Sequence, residues 1–401
     1  MNILFLTNLL PYPLDNGGKI KTFTTLRALK DVGHYIDLYC FSEDSFSENQ
    51  SPIHEMCRNV KMIPLKLTSA ENKKYMIKIA FCSLFSILPF SVYKYKSTEM
   101  ENCLRALSEE KYDIIYYDHL QMTIYSPLLS AIFPNAKQVL DEHNCESLIV
   151  ERKAESAKNL LYKLFLFVEC QKYKRYEKKA ILAMNKCIIL SVEDYDALKK
   201  ICGCDFEHSI IPIGVNDNGI KKTTESSGIN ILFLGTLTWE PNDHGITWFV
   251  NEVFPKIVQE HPDIKLYIVG KNPSNALRYA AEAFKNIFIT GYVTSVDPYY
   301  DMCDFMIVPL FIGSGQRVKI IEAFSKGMPV LSTKIGAEGL NITDEINILI
   351  ADTRDDFINK INELKNTDVR TRLAANGRKL YEQEYSVASI YKRINKAINY
   401  I

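Results

Sequence analysis

No charge of one sign prevails in this chain of 401 residues, where 48 lysine and arginine residues offset 48 aspartate and glutamate residues. Nucleic acid, bound chiefly through excess cationic charge, is therefore not favoured as a partner. No apolar run reaches the roughly 20 residues that a membrane-spanning helix needs. The ten cysteines are scattered, and Cys202-Gly-Cys204 is the one close pair, without a second pair or a histidine cluster beside it. That spacing fits reduced, structural cysteines of a cytoplasmic protein better than a zinc site or a disulfide framework. The opening apolar residues, Ile3 to Leu6, lack a basic flank and soon meet Pro11 and Pro13, so they read as a first strand and not as a signal peptide. The loop that follows, Asn8 to Lys19, holds no G-x-G-x-x-G, which argues against a dinucleotide oxidoreductase. Asp194-Tyr195-Asp196 has the look of a metal-binding D-x-D, but Ser191 before it makes a helix start the better reading, and no metal is expected.

What is present fits two domains. Hydrophobic residues make up 47% and charged residues 24%, and the length allows two cores of ordinary size. Strand-like runs at Ile3–Thr7, Ile36–Phe41, Val60–Ile63, Ile114–Tyr117, Gln138–Leu140, Cys187–Leu190 and His208–Ile213 alternate with helical segments. Such alternation predicts a parallel, doubly wound sheet. Gly214 to Gly228, polar and rich in Gly, Ser and Thr, reads as a linker. The pattern then restarts at Ile231–Leu234, Leu266–Val269, Ile287–Thr290, Met306–Pro309, Val330–Ser332 and Ile348–Ile350. The expected organisation is a first domain over 1–213, a linker over 214–228, a second domain over 229–380, and a terminal helix over 381–401.

The most informative stretch runs from Pro309 to Leu340. An apolar run ends in Gly313-Ser314-Gly315, and a helix with Arg317, Lys319 and Glu322 in its first turns follows. Val318 with Ile321, and Ile320 with Phe324, form the apolar stripe of that helix; Gly327 and Pro329 end it. A strand, a glycine loop and a helix start make an anion site, because unpaired N–H groups and the helix dipole both favour phosphate. Arg317 and Lys319 suit a phosphate, whereas Glu322 would repel it and suits a ribose diol instead. Phosphate plus ribose points to a nucleotide. The plainer alternative is a glycine-rich turn with a solvated Lys–Glu pair.

This run resembles the donor-binding signature of family 4 retaining glycosyltransferases (glycosyl transferases group 1), which have the GT-B fold, an α/β architecture of two doubly wound Rossmann-like domains facing across a cleft. The resemblance carries further expectations. Gly17 and Gly18, in the Pro-rich first loop, are expected near the donor diphosphate. Thr236 and Asn242 belong to the loop Gly235–Gly245, whose Trp239-x-Pro-Asn element is shared with the family. Tyr292 and Val293 are expected to meet the nucleobase through their backbone. The loop containing Asp141-Glu142-His143-Asn144 resembles the one whose histidine approaches the donor sugar, so His143 is the leading catalytic candidate, with Asp118 and His119 on the acceptor side. Two departures stand out. Ser314 replaces the first Glu of the family's E-x7-E, Glu322 being the second, and the Arg and Lys common in the Gly235 loop are missing. Arg317 and Lys319 are therefore expected to clamp the diphosphate and to act in catalysis.

The expected activity is transfer of a sugar, with retention and without metal or cofactor, from a nucleotide-diphosphate sugar to a carbohydrate or lipid-linked carbohydrate acceptor, in cell-surface polysaccharide or glycoconjugate synthesis. A nucleotide-sugar 2-epimerase of the same fold and a non-catalytic nucleotide-sugar-binding subunit are the rivals. Two stretches bear on membrane contact. Tyr75–Lys96, apolar and aromatic, reads as a buried helix in preference to a lipid-facing one. Lys158–Lys179 is basic with interleaved aromatics, either a solvated helix face or a peripheral contact with the inner membrane face.

Overall fold

The structure, a computed structural model, describes residues 1–42, 52–65, 79, 82, 83, 85–217, 219, 228–313 and 315–400. Most of the expected linker, Ser314 and part of Tyr75–Lys96 lie outside these residues. The chain divides into two compact units, residues 1–213 with 390–401, and residues 214–389.

The first unit is built on seven parallel strands, β1 (Asn2–Thr7), β2 (Tyr35–Ser42), β3 (Asn59–Pro64), β4 (Ile114–Asp118), β5 (Lys137–Glu142), β6 (Lys186–Ile189) and β7 (His208–Ile210). Their order across the sheet is β3-β2-β1-β4-β5-β6-β7. Successive residues point to opposite faces of a strand, and both faces are covered here. Leu4, Leu6, Ile115, Tyr117, Leu140 and Ile189 enter one core, while Ile3, Phe5, Ile114, Tyr116, Val139 and Ile188 enter the other. That is why these strands read as continuous apolar runs. The strand expected over His208–Ile213 stops at Ile210.

The helices that bear on the site or on a surface of this unit are α1 (Gly17–Asp31), α2 (Glu146–Ser156), α3 (Leu160–Leu182) and α4 (Val192–Cys202). Asn16 caps α1 by accepting from the Lys19 amide. Ser191 caps α4 by accepting from the Asp194 amide, and its hydroxyl donates to the Asp194 carboxylate at 2.6 Å, so the D-x-D-like element is a helix start. The helix expected over Tyr75–Lys96 is corrected in its described part. Ile79, Cys82 and Ser83 are helical, Phe85 to Pro89 are not, and Phe90–Tyr93 forms a separate helical turn after Pro89; Val92 and Tyr95 are buried, and Phe85 and Ile87 stand 80% and 90% exposed.

The second unit has six parallel strands, β8 (Asn230–Leu234), β9 (Lys265–Val269), β10 (Ile287–Gly291), β11 (Phe305–Val308), β12 (Val330–Ser332) and β13 (Leu349–Ile350), ordered β10-β9-β8-β11-β12-β13. Its relevant helices are α5 (Glu240–Trp248), α6 (Asp297–Met302), α7 (Val318–Ser325) and α8 (Thr367–Leu380). The terminal helix does not begin at Tyr381. Residues Tyr381–Tyr385 continue α8 as a wider π turn, and α9 (Val387–Asn399) starts after Ser386. The π turn is pinned by Tyr381, whose hydroxyl donates to the Val215 carbonyl at 2.9 Å. Ile390, Ile394, Ala397 and Ile398, one stripe of α9, join the core that contains Ile3 and Phe5.

Strand order reverses between β1 and β4 in one sheet and between β8 and β11 in the other. In open α/β sheets the crevice for ligands forms at the carboxyl ends of strands flanking such a reversal. Both groups of candidate residues lie there.

Candidate functional site

In the first unit, Thr7 ends β1 and Asp118 ends β4, and the two are register partners. Asp118 is fully buried. Its Oδ2 accepts from the hydroxyls of Thr7 at 2.6 Å and Thr22 at 2.8 Å and lies 3.0 Å from His119 Nδ1, while its Oδ1 lies 2.9 Å from His143 Nε2. The two imidazoles lie against each other with centroids 3.7 Å apart and planes tilted by 34°. His119 has φ 78° and ψ 146°, a region that costs a residue with a side chain about 1–3 kcal/mol. The turn is held by its amide, which donates to the Asp141 carbonyl at 2.9 Å.

A second buried layer supports this one. Lys21 and Asp141, each buried, form an ion pair, and the Tyr116 hydroxyl donates to Asp141 at 2.6 Å. Gly18 faces the histidines. A Cβ there would stand 3.4 Å from Asn16 Oδ1, 3.6 Å from His119 Nε2 and 3.8 Å from His143 Nδ1. A pocket lined by Thr7, Asn16, Gly18, Lys19, Thr22 and His119 opens at this point.

Protons divide unequally in this cluster. Burial alone would raise the Asp118 carboxyl, but the charges and hydrogen bonds of the two histidines outweigh it and hold the group well below the usual range. His119 is raised: burial opposes protonation, yet the Asp118 charge and hydrogen bond prevail. His143 is lowered to about 4, first by burial and then by the charge of His119. At neutral pH His143 is therefore neutral, whereas the shift of His119 favours its charged form. Neutral His143 then donates from Nε2 to Asp118 and keeps Nδ1 as an acceptor on the Gly18 side. Folding also brings the ligand atoms of Asp118, His119 and His143 within 4.8 Å of one another, a group that could hold a metal ion. Their separation along the chain hides this grouping from any spacing rule.

In the second unit the glycine loop and α7 meet the end of β8. Gly313 and Gly315 have φ 128° and 80°, conformations open to glycine and not to bulkier residues. A Cβ at Gly313 would stand 2.6 Å from Arg317 Nη2, so the missing side chain admits the guanidinium. Arg317 precedes α7, is buried, and lies over the Trp239 ring at 5.5 Å. Lys319 Nζ donates to the Leu234 carbonyl at 2.5 Å and to Asn242 Oδ1 at 2.9 Å. Asn242 in turn donates to the Thr236 carbonyl at 3.0 Å. A Cβ at Gly235 would stand 2.6 Å from Asn242 and 2.9 Å from Lys319, so that glycine makes room for the pair. Burial, followed by the Arg317 charge, lowers Lys319 to about 7.

Glu322 follows Lys319 on α7. Burial raises its carboxyl, against the opposing charges of Lys326 and Lys319. Lys326 bonds Asp297 on α6 at 2.8 Å and lies 5.2 Å over the ring of buried Tyr300. Tyr292 and Val293 follow the edge strand β10, separated from β11 by β9 and β8, with Tyr292 76% exposed. Ser314 lies outside the described residues.

The structure thus assembles Asp118, His119, His143 and Gly18 in one unit, and Thr236, Asn242, Gly313, Arg317 and Lys319 in the other. Sequence reasoning missed Thr7, Lys21, Thr22 and Asp141. A lysine three residues past Gly18 on the sheet-facing side of α1 is the one signal that could have found this layer.

Two all-parallel doubly wound sheets in one chain define the GT-B architecture of two Rossmann-like domains. Solved structures share it over nearly whole chains. Sucrose-phosphate synthase from Thermosynechococcus elongatus superposes with a TM-score of 0.72 at 16% identity, over 100% of this chain and 98% of the other. Anabaena HepE in complex with UDP-glucose gives 0.65 at 14% identity over 100% of both chains. A TarM variant of S. aureus, in complex with fondaparinux, alpha-GlcNAc-glycerol and UDP, gives 0.65 at 12% identity over 99% of both. Residues 228–367 match the family model of glycosyl transferases group 1. The chain is also 26% identical over 395 residues to an uncharacterised 44.6 kDa protein of the cps region of Klebsiella pneumoniae, covering 96% of this chain and 97% of that one. Together these findings show the GT-B fold and a likeness of residues 228–367 to glycosyl transferases group 1.

Proposed function

We propose that the protein is a metal-independent, retaining hexosyltransferase that moves a sugar from a nucleotide-diphosphate sugar to a carbohydrate or lipid-linked hydroxyl acceptor, in the cytoplasm, for a cell-surface polysaccharide or glycoconjugate. One observation carries the reading: Lys319, anchored by Leu234 and Asn242 at Gly235, with Arg317 seated against Gly313, lies within the stretch that matches the family. The nucleotide complex of HepE and the cps-region relative support the donor and polysaccharide parts.

In this reading the second unit holds the donor. The Gly313–Ser314–Gly315 loop, Arg317 and Lys319 stabilise the diphosphate as its charge grows on cleavage. Glu322 accepts from the ribose hydroxyls, Tyr292 and Val293 meet the base, and Thr236 and Asn242 fix Lys319. In the first unit Gly17 and Gly18 give backbone access to the donor, His143, kept neutral by burial and the His119 charge, accepts a hydrogen bond from the sugar through Nδ1, and Asp118 with His119 faces the acceptor. The acceptor proton passes to a donor phosphate oxygen on the same face, which gives retention.

The test is incubation of the full chain with a panel of nucleotide-sugars in EDTA, with and without candidate acceptors, following nucleoside diphosphate release and product anomer by proton NMR. Acceptor-dependent release with retained configuration is expected. A free 2-epimeric sugar formed without acceptor would establish the epimerase instead. Binding without release under any condition would leave a non-catalytic subunit. Activity lost in EDTA and restored by magnesium or manganese would assign a metal role to Asp118, His119 and His143.

A further inference from the structure

Helix α3 presents to solvent a face that is apolar in its first half and cationic in its second. One side of the helix, Leu166, Glu169, Cys170, Tyr173, Glu177, Ala180 and Ile181, is buried. On the opposite side Leu160 and Leu161 are each 79% exposed, and Leu164 and Phe167 each 60%. Val168 is exposed with them. These positions recur at i, i+1, i+4, i+7 and i+8, one stripe of a helix. At the same angular position in later turns stand Gln171, Arg175, Lys178 and Lys179, all exposed. No acidic residue occupies an exposed position of α3.

Two further exposed apolar side chains, Phe85 and Ile87, belong to a segment bonded to α3. The segment of Phe85 and Ile87 is fastened to α3 by Lys172, which donates to the Ser83 carbonyl at 2.7 Å, and by the Phe90 amide, which donates to Glu169 at 2.6 Å. Exposed apolar side chains grouped along one helix stripe mark an interaction surface.

We propose that this face of α3, with Phe85 and Ile87, lies on a membrane surface bearing anionic headgroups. The charge pattern selects the occupant. A second copy of the face packed antiparallel would set Arg175, Lys178 and Lys179 on leucines, and packed parallel it would set cations against cations. A lipid surface satisfies both halves, since the apolar turns enter the acyl boundary while the cations meet headgroups. Insertion is in the plane, because no helix of the described residues is long and apolar enough to cross a membrane. The inference does not rest on the transferase reading.

The test is pelleting of the full chain with vesicles of phosphatidylcholine alone, or with about a third phosphatidylglycerol to supply negative surface charge. Binding to the anionic vesicles is expected, weakening as salt is added. Leu164→Glu with Phe167→Glu should abolish it. Arg175→Gln, Lys178→Gln and Lys179→Gln together should weaken it roughly a hundred-fold, at about five-fold for each cation. All five side chains are exposed, so melting temperature should hold and serves as the check on folding. Absence of pelleting with anionic vesicles would overturn the proposal, as would pelleting indifferent to these variants. A dimer in sedimentation that Leu164→Glu with Phe167→Glu dissolves, without vesicle binding, would assign the face to a second copy.

Discussion

His119 and His143 share one carboxylate, that of Asp118, at 3.0 and 2.9 Å, while their own rings lie 3.7 Å apart. Two imidazolium charges that close would repel strongly, and the site avoids this by holding His143 neutral while favouring the proton on His119. Neutral His143 keeps the lone pair of Nδ1 on the Gly18 side, beside His119 Nε2, because its Nε2 is taken by Asp118.

His143 gives the protein a pH-dependent stability of defined sign. Unfolded, a histidine titrates near 6.5, whereas folded His143 is held at about 4. Between those values the unfolded chain binds more protons, so stability falls as pH drops through the window, by about 3 kcal/mol in total from this group. His119 acts oppositely: raised when folded, it stabilises below the unfolded value and loses that effect as pH rises through its folded one. Urea unfolding at pH 7 and pH 5 should show wild type losing more stability on acidification than His143→Ala. An equal loss would show that His143 is not held neutral. In kinetics the same variant should lower turnover much more than donor affinity.

Gly18→Ala separates folding from function. Gly18 lies in the first turn of α1 without a positive φ, and its nearest neighbours would stand 3.4 Å or more from the new Cβ. Alanine is the better helix former, by up to about 1 kcal/mol, so the melting temperature should hold or rise slightly. The methyl group would meanwhile fill the space in front of His119 and His143, and turnover should drop at least tenfold. Full activity would remove that space from the reaction.

Lys319 should couple diphosphate binding to proton uptake. Burial lowers its amine to about 7, so the free protein loses the proton as pH rises past neutrality, while a bound diphosphate restores it. Affinity for a nucleoside diphosphate such as UDP should weaken by up to about tenfold per pH unit above 7. Titration calorimetry in buffers of different ionisation enthalpy measures the proton taken up. Lys319→Arg should flatten the profile, and Lys319→Ala should chiefly depress turnover, on the order of a few kcal/mol. Affinity indifferent to pH between about 7 and 9 in wild type would count against this role.

Glu322 should fail differently from Lys319, though the two are one turn apart. If it meets the ribose hydroxyls, far from the charge that develops on cleavage, its contribution is mostly uniform binding. Glu322→Gln is then expected to raise the donor KM with a smaller effect on turnover, and to narrow the preference for ribose over 2′-deoxyribose donors. A variant that still rejects the deoxy donor as strongly as wild type would release Glu322 from this assignment.

The sequence alone determined the two parallel sheets, because strands buried on both faces read as continuous apolar runs, as Ile3–Thr7 and Ile231–Leu234 do, and these runs alternate with helical segments. It also determined the glycine turn before α7, where Gly313 and Gly315 adopt left-handed backbone that few other residues tolerate. Local chemistry writes such features into neighbouring residues. Tertiary structure alone decided how Asp118, His119, His143 and Gly18 converge, since they come from three chain segments and meet only when β1, β4 and β5 are laid side by side. It decided the Lys21–Asp141 layer for the same reason, the partners being 120 positions apart. It also decided protonation, because burial and neighbouring charge, and not residue type, shift one histidine of a touching pair up and the other down.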